Sequence, residues 1–512
     1  MRCLSALLLL AASVEAQPAA VRPCVGMTQL TTRALAITKA EPVAGGPAPA
    51  TAAPPGAPAL NLPAYCRVEG ILDRRTGVNG KSYGIGFALA LPEKWNGRFL
   101  FQGGGGLNGN VGQPLGAPAS GDLPALARGF AVVTTDSGHK GAVFEGSFFE
   151  DQQASLDFYY EAIGKVTATA KNLIEAFYGR PAAHSYYDGC STGGREAMII
   201  TQRYPTYFDG VVSGDPAMRT GYSNLALAYI SATFDRAAPR DANGKPAELF
   251  SAADRELIVS SLLDRCDAND GIKDGMIFNM KGCDFDPVSL ACREGQTSGC
   301  VAPERAAALK KAFAGPKDLA GNAIYPGFPF DAGIAENSAR LPGLLFGPRI
   351  PVGAPVDAAK FDAARDAARV AADINARMGD SLWTNLSTFS GHGGKLLFYH
   401  GLSDPWFSPL DTLQYYENLI RDNGGRDKVE SWSRLYLVPG MGHCAGGSAT
   451  LDRFDMVTAI TDWVEKGTPP DSVTATGRAF PGRSRLLCSY PNYAYYTGQG
   501  DPNDARNFVC RE

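Results

Sequence analysis

Short apolar runs alternate with stretches of helical spacing along this chain, and the order of the two predicts its fold. Tyr83 to Leu91 reads as a strand ended by Pro92. Arg98-Phe99-Leu100-Phe101 is a second, running directly into Gly103-Gly104-Gly105-Gly106, and Phe130 to Thr135 is a third. Gln153 to Tyr178 sets Phe158, Ala162, Val166, Ala170, Leu173 and Phe177 near one helical face, with Gly179 placed to end it. Ser185-Tyr186-Tyr187 is short, aromatic and strand-like, and Gly194 to Ile200 is helix-forming up to the region of Pro205. Phe208 to Val212, Lys395 to His400 and Arg434 to Val438 repeat the strand pattern. This alternation predicts an α/β fold, a largely parallel sheet with covering helices.

The pattern changes between about residues 218 and 383, where helical stretches, four cysteines and irregular Gly- and Pro-rich runs take over. Asp357 to Met378 within it is Ala-rich and helical. We therefore expect an inserted domain at 218–383, splitting a catalytic domain into 17–217 and 384–512. Residues 40–58 are rich in Ala, Pro and Gly and are expected to form an extended loop. No internal repeat is visible.

Composition adds a compartment. Arg2, the apolar run Leu4 to Ala12 and the small-residue site Val14-Glu15-Ala16 predict a signal peptide over residues 1–16, with Gln17 as the first mature residue. The expectation is a soluble protein, secreted or periplasmic. A net charge of −4 gives no basic footprint for nucleic acid. Of 11 cysteines, Cys3 would leave with the leader. The remaining Cys24, Cys66, Cys190, Cys266, Cys283, Cys292, Cys300, Cys444, Cys488 and Cys510 suggest disulfides in an exported chain. Spacing alone does not fix their connectivity.

The chemistry centres on Gly189-Cys190-Ser191-Thr192-Gly193, a G-x-S-x-G sequence between an expected strand and an expected helix. Such an elbow exposes a nucleophilic serine, and an α/β-hydrolase takes its acid and its histidine from loops after later strands, in that order. The strand ending at His400 leads to Gly401-Leu402-Ser403-Asp404, and the one ending at Val438 leads to Pro439-Gly440-Met441-Gly442-His443. Ser191, Asp404 and His443 thus occupy the places of nucleophile, acid and base. An oxyanion hole would take the N–H of Thr192 and one from the glycine loop, with Gly103, Gly104 and Gly105 as candidates. Cys190 precedes the serine and Cys444 follows the histidine, so a bridge between them would tie nucleophile to base.

A second cluster lies at Cys266–Ile277, with three carboxylates within eight residues. Hard oxygen ligands concentrated in this way suit Ca²⁺. Asp267, Asp270 and Asp274 would supply side chains, and Ile272 and Met276 carbonyls. The loop lacks the twelfth-position Glu of an EF-hand, and Cys266 and Cys283 flank it.

With these residues assembled, the chain resembles the tannase and feruloyl esterase family, which also contains hydrolases of mono(2-hydroxyethyl) terephthalate. The markers are Gly189 to Gly194, the acidic loop, His400-Gly401-Leu402-Ser403-Asp404-Pro405 and Gly442-His443-Cys444. The resemblance implies an α/β-hydrolase fold with a lid inserted before the acid, a structural calcium ion in that lid and no organic cofactor. It implies the disulfides Cys24–Cys66, Cys190–Cys444, Cys266–Cys283, Cys292–Cys300 and Cys488–Cys510. It implies esters of small aromatic acids as substrates, namely feruloyl or other hydroxycinnamoyl, galloyl or terephthalate monoesters, with His400 and Phe407 lining the pocket. Tyr325, Phe328, Phe330, Phe346, Trp383 and Phe389 are candidates for its flat walls, and Arg340 or Arg349 for meeting a free carboxylate. Two other readings compete: a secreted serine peptidase with the same residue order, and a non-catalytic calcium-binding adhesion module.

Overall fold

A nine-stranded mixed sheet carries the molecule, and its strand ends assemble the candidate site. The structure is a computed structural model and describes residues 22–48, 60–338, 341–348 and 357–512. The strands are β1 (Leu35–Val43), β2 (Tyr65–Thr76), β3 (Ser82–Pro92), β4 (Arg98–Gln102), β5 (Ala131–Thr135), β6 (His184–Cys190), β7 (Gly210–Gly214), β8 (Lys395–Gly401) and β9 (Ser433–Val438). Their order in the sheet is β1-β2-β3-β5-β4-β6-β7-β8-β9. The six from β5 to β9 run parallel, whereas β1, β2 and β3 are antiparallel.

Helices α1 (Ala162–Tyr178), α2 (Thr192–Arg203), α3 (Thr220–Ala237), α4 (Ala252–Cys266), α5 (Pro303–Phe313), α6 (Ala363–Ala372), α7 (Pro409–Asp422) and α8 (Met456–Lys466) complete the frame. The parallel strands are apolar on both faces because both are covered. On one face Phe99, Phe101, Tyr187, Val211 and Phe398 pack with α1, α2 and α7. On the other Leu100, Val132, Tyr186, Val212 and Leu397 pack with α8. The side chains alternate strictly between these two cores, as a strand period of two requires.

The expected strands and the expected face of α1 are present, with Gly179 in the left-handed conformation at its end (φ 71°). The path into α1 includes a π-helical turn at Asp157–Glu161. Three readings need correction. The sheet is mixed, because β1 and β2 alternate polar and apolar residues and were not distinguished from loop. Residues 40–43 of the expected extended loop complete β1, and Gly46–Pro47 pairs with Asn61–Leu62. The Ala-rich stretch forms two helices, Ala363–Ala372 and Ile374–Gly379, broken at Asp373, whose side chain caps the second.

Between β7 and β8, helices α3 to α5 and their loops form a separate hydrophobic cluster around Leu227, Ile230, Phe234, Leu309 and Phe313. That cluster also takes in Trp406 and Phe407 from beyond β8. The structure holds all five disulfides in the pairing that the family resemblance implies. Among the described residues no helix is long and apolar enough to cross a membrane. The expected signal peptide, Arg340 and Arg349 lie outside the described residues.

Helix α2 approaches β7 so closely that only glycine fits. A Cβ on Gly194 would stand 2.2 Å from the Gly214 carbonyl oxygen and 2.9 Å from Pro216 Cα, both backbone atoms. Gly194→Ala should therefore destabilise the protein by about 3 kcal/mol, the upper part of the range for overpacking. Denaturant unfolding checks this, and a loss below about 0.5 kcal/mol would mean the helix can shift freely.

Candidate active site

Ser191 sits between β6 and α2 with φ 65° and ψ −119°, a strained conformation for a residue with a Cβ. Its N–H donates to the Gly214 carbonyl at 3.0 Å, and its own carbonyl accepts from Arg195 and Ala217. The positive φ belongs to the serine, and the flanking glycines serve close approach instead. A Cβ on Gly189 would meet the Gly193 backbone at 2.8 Å, and one on Gly193 would meet the Gly104 carbonyl oxygen at 2.9 Å.

Asp404 and His443 come together as the sequence predicts. His443 Nδ1 lies 2.7 Å from Asp404 Oδ2. Asp404 Oδ1 accepts from the N–H groups of Trp406 at 2.8 Å and Phe407 at 3.1 Å, so the carboxylate is fixed from its other side. Burial works against its charge, but His443 and His400 outweigh burial and hold the Asp404 carboxyl well below the usual carboxylate range. Burial likewise opposes a charged His443, and Asp404 more than offsets it, so the imidazole binds its proton more tightly than usual. His443 Nε2 is buried and has no hydrogen-bond partner among the described residues, Ser191 Oγ included. Such contacts often tighten only when substrate is bound. The Cys190–Cys444 disulfide, with Cα atoms 5.9 Å apart, joins the residue before the serine to the residue after the histidine.

The glycine loop resolves into distinct roles. The Gly103 N–H donates to the Asp188 carbonyl at 2.9 Å, and the Gly104 N–H to Glu196 Oε2 at 3.1 Å. These two expected oxyanion donors are therefore already engaged. Gly105 keeps its N–H free of protein acceptors among the described residues, and a Cβ there would meet nothing within 4 Å. Thr192 is the first residue of α2, where an N–H has no intrahelical acceptor, and its hydroxyl holds the Gly106 carbonyl. Glu196, fully buried on α2, also accepts from Tyr187 Oη at 2.8 Å and Ser137 Oγ at 3.2 Å. Its sequence gives no hint of this, since a Glu in a helix usually faces water.

The His400 side chain exposes no surface among the described residues. It is fully buried at the end of β8, with Nδ1 2.8 Å from Thr412 Oγ1 and Nε2 3.1 Å from the Phe407 carbonyl and 3.3 Å from Asp404 Oδ2. The acceptors around Nε2 place a proton there. Phe407 does stand by the histidine, its ring 5.3 Å from that of His443. Trp406 was missed: its ring lies 5.6 Å from His443, stacks on Phe407 and meets Phe144 edge-on. Its position one residue beyond Asp404-Pro405 was the available signal. Tyr325, Phe328 and Phe330 sit in the core of the insertion, and Phe389 packs on Trp432 in the main core. Phe346 lies under Arg255, and Trp383 is exposed.

Asp331 was also missed. This fully buried acid of the insertion accepts from the Ser403 hydroxyl and from the Gly440 N–H at 2.8 Å. It thereby joins the loop of Asp404 to the loop of His443.

The acidic loop at Cys266–Ile277 is far in the chain from Ser191, Asp404 and His443. Asp267 accepts from the N–H groups of Asp274 and Gly275, and Asp270 from those of Ile272 and Phe278. Burial pushes the Asp270 carboxyl up to about 8, and the charges of Asp274 and Asp267 add to it. Three crowded acids, two of them buried, are a donor set that fits a hard divalent cation. Asp274 is paired with the buried Arg485, and among the described residues the sets of potential ligands that close to within 4.8 Å lie at Asp404 and Cys190, not in this loop.

Comparison with known proteins agrees with this geometry. The profile of the family described as "Tannase and feruloyl esterase" matches residues 66–347 and 351–511. The chain is 37% identical to mono(2-hydroxyethyl) terephthalate hydrolase of Piscinibacter sakaiensis, over 90% of this chain and 87% of that protein. It is 28% identical to feruloyl esterase B of Aspergillus niger over 82% of each. The crystal structure of feruloyl esterase B from Aspergillus oryzae superposes with a TM-score of 0.77 at 26% identity, covering 95% of this chain and 99% of that one. The fold is therefore the α/β-hydrolase fold, and the chain belongs to the tannase and feruloyl esterase family of carboxylic ester hydrolases.

Proposed function

We propose that the protein hydrolyses esters of small aromatic acids through Ser191, His443 and Asp404. The observation that carries this is the buried Asp404–His443 pair, 2.7 Å apart, with Nε2 unpartnered and a disulfide tying it to the nucleophile elbow. Ser191 Oγ attacks the ester carbonyl and His443 Nε2 takes its proton. Asp404 holds the Nδ1–H and stabilises the imidazolium. The Thr192 and Gly105 N–H groups, neither bonded to a protein acceptor among the described residues, receive the oxyanion. Collapse expels the alcohol with the proton from His443, and water then releases the acid from Ser191 by the same steps.

Trp406, Phe407 and Phe144 offer flat apolar surface beside His443, which suits an aromatic acyl group. The named activities of the relatives point the same way, to feruloyl esters and to a terephthalate monoester. Residues 218–383 act as the lid, Asp267, Asp270 and Asp274 with the carbonyls of Ile272 and Met276 hold a structural Ca²⁺, and the mature enzyme is exported. Five disulfides favour an oxidising compartment.

Chromatography of products from methyl ferulate, methyl gallate and mono(2-hydroxyethyl) terephthalate should show cleavage of at least one. Ser191→Ala should lower kcat by about 10⁴-fold or more. If none is cleaved by the oxidised, calcium-loaded protein, the substrate class is wrong.

The disulfide between Cys190 and Cys444 spans 254 residues of sequence, for which chain entropy gives about 5 kcal/mol of stabilisation. Cys190→Ala/Cys444→Ala should lower both Tm and kcat/KM. Wild-type values of both would show that the bridge is dispensable.

Chelation by EDTA should lower Tm while leaving kcat/KM unchanged well below the transition, and Asp270→Asn should remove the difference. A chelated protein that melts as before, with no calcium in its metal analysis, would refute the calcium assignment.

A further inference from the structure

The end of β7 carries an acid that the proposed mechanism does not use. Asp215 lies between the nucleophile strand β6 and the strand β8 that leads to Asp404. It is fully buried. Its Oδ1 accepts from the Gly401 N–H at 3.0 Å and lies 3.6 Å from His400 Nε2. Its Oδ2 is 3.4 Å from Cys190 Sγ, on the disulfide beside the serine. One of its carboxylate oxygens lies within 4.8 Å of both an Asp404 oxygen and a ring nitrogen of His443. Its φ of 36° falls in the left-handed region, which Asp and Asn tolerate better than most residues with a Cβ.

A parallel sheet offers two neighbouring strand ends from which an acid can reach the histidine, and this chain has filled both. The titratable groups facing Asp215 are His400 from the end of β8, Asp404 from the loop after β8 and His443 from the loop after β9. Two carboxylates sharing a dry site do not ionise alike. Burial pushes the Asp215 carboxyl up to about 7 against the pull of His400, and the charge of Asp404 raises it further. Asp404, bonded to His443 and two backbone N–H groups, ionises first, and Asp215 gains its charge as pH rises towards about 7.

Resting on the Ser191, His443 and Asp404 assignment, we propose that Asp215 is a second acid for His443, a positioning residue that shares the imidazolium charge and carries it alone when Asp404 is lost. With Asp404 gone, the charge that opposes ionisation of Asp215 goes too, and the imidazolium is left facing one carboxylate.

The experiment compares Asp404→Ala, Asp404→Ala/Asp215→Asn and Ser191→Ala on the ester the wild type cleaves. Asp404→Ala should retain kcat at least about tenfold above Ser191→Ala, and the double variant should lose about tenfold or more of that remainder. A double variant within twofold of Asp404→Ala would overturn the proposal. Should Asp404→Ala not fold, Asp404→Asn takes its place in the same comparison. Asp215→Asn keeps the acceptor for Gly401 and the left-handed backbone, so a purely structural role would leave the pH profile where it was. The charge of Asp215 strengthens proton binding by His443, and the base must be neutral to act. Asp215→Asn alone should therefore move the acid limb of kcat/KM to lower pH, and an unmoved limb would also overturn the proposal. Substantial activity in Ser191→Ala would instead remove the triad reading itself.

Discussion

Backbone laid directly against backbone at the elbow is the constraint on which the site depends. Gly193 lies against Gly104, Gly194 against Gly214 and Pro216, and Gly189 against Gly193, with no side chain between them. These contacts hold α2 onto the ends of β4, β6 and β7 at once. They fix the strained Ser191, the free N–H of Thr192 and the glycine loop as one rigid body. Such packing has little tolerance for relaxation, because a displaced backbone cannot change rotamer as a side chain can. The elbow is thus preorganised before any substrate arrives, which is where electrostatic stabilisation of an oxyanion gains most.

A dry site makes the placement of each acid decisive. Glu196 holds the glycine loop through Gly104, Asp331 joins the loops of Asp404 and His443, and Asp404 itself faces two histidines. Each of these carboxylates accepts hydrogen bonds from backbone N–H or hydroxyl groups of the loops it positions, and in Asp331 one oxygen takes both bonds while Oδ1 has no partner among the described residues. Asp188 contrasts with them. It is fully buried on β6 with neither oxygen bonded among the described residues, and burial pushes its carboxyl well above the usual range.

What the sequence made legible was local. The elbow, the strands buried on both faces, the acid and histidine loops and the cysteines beside them all depend on a few adjacent residues. What it hid was assembled across long separations. Strands β1 and β2 were obscured because a half-buried strand alternates polar and apolar residues as an irregular segment can. Asp331 and Glu196 look like ordinary surface acids until four elements close around them. His400 was expected as a pocket wall from the family resemblance, whereas its place at a strand end fits core packing, and the structure buries it under the loop that turns back at Phe407. Asp215 was readable in principle, since it obeys the same strand-end rule that picked out Asp404.

Selectivity follows from how these parts are divided. Ser191, Asp404, His443 and the proposed oxyanion donors all belong to the sheet and its short loops, where glycine contacts and a disulfide leave little freedom. Trp406 and Phe407 are different. They follow Asp404 by two and three residues, yet their side chains complete the hydrophobic cluster of the insertion, and the Trp406 indole donates to Asn224 on α3. Changes in the insertion can therefore shift the rings beside His443 without disturbing the charges that drive the reaction. Relatives named for feruloyl esters and for a terephthalate monoester differ in the acyl group while the ester carbonyl stays the same, which such a separation accommodates. The backbone amides of Trp406 and Phe407 bound the drift, since both donate to Asp404. The pocket can thus be reshaped only as far as the acid loop stays in register with the histidine.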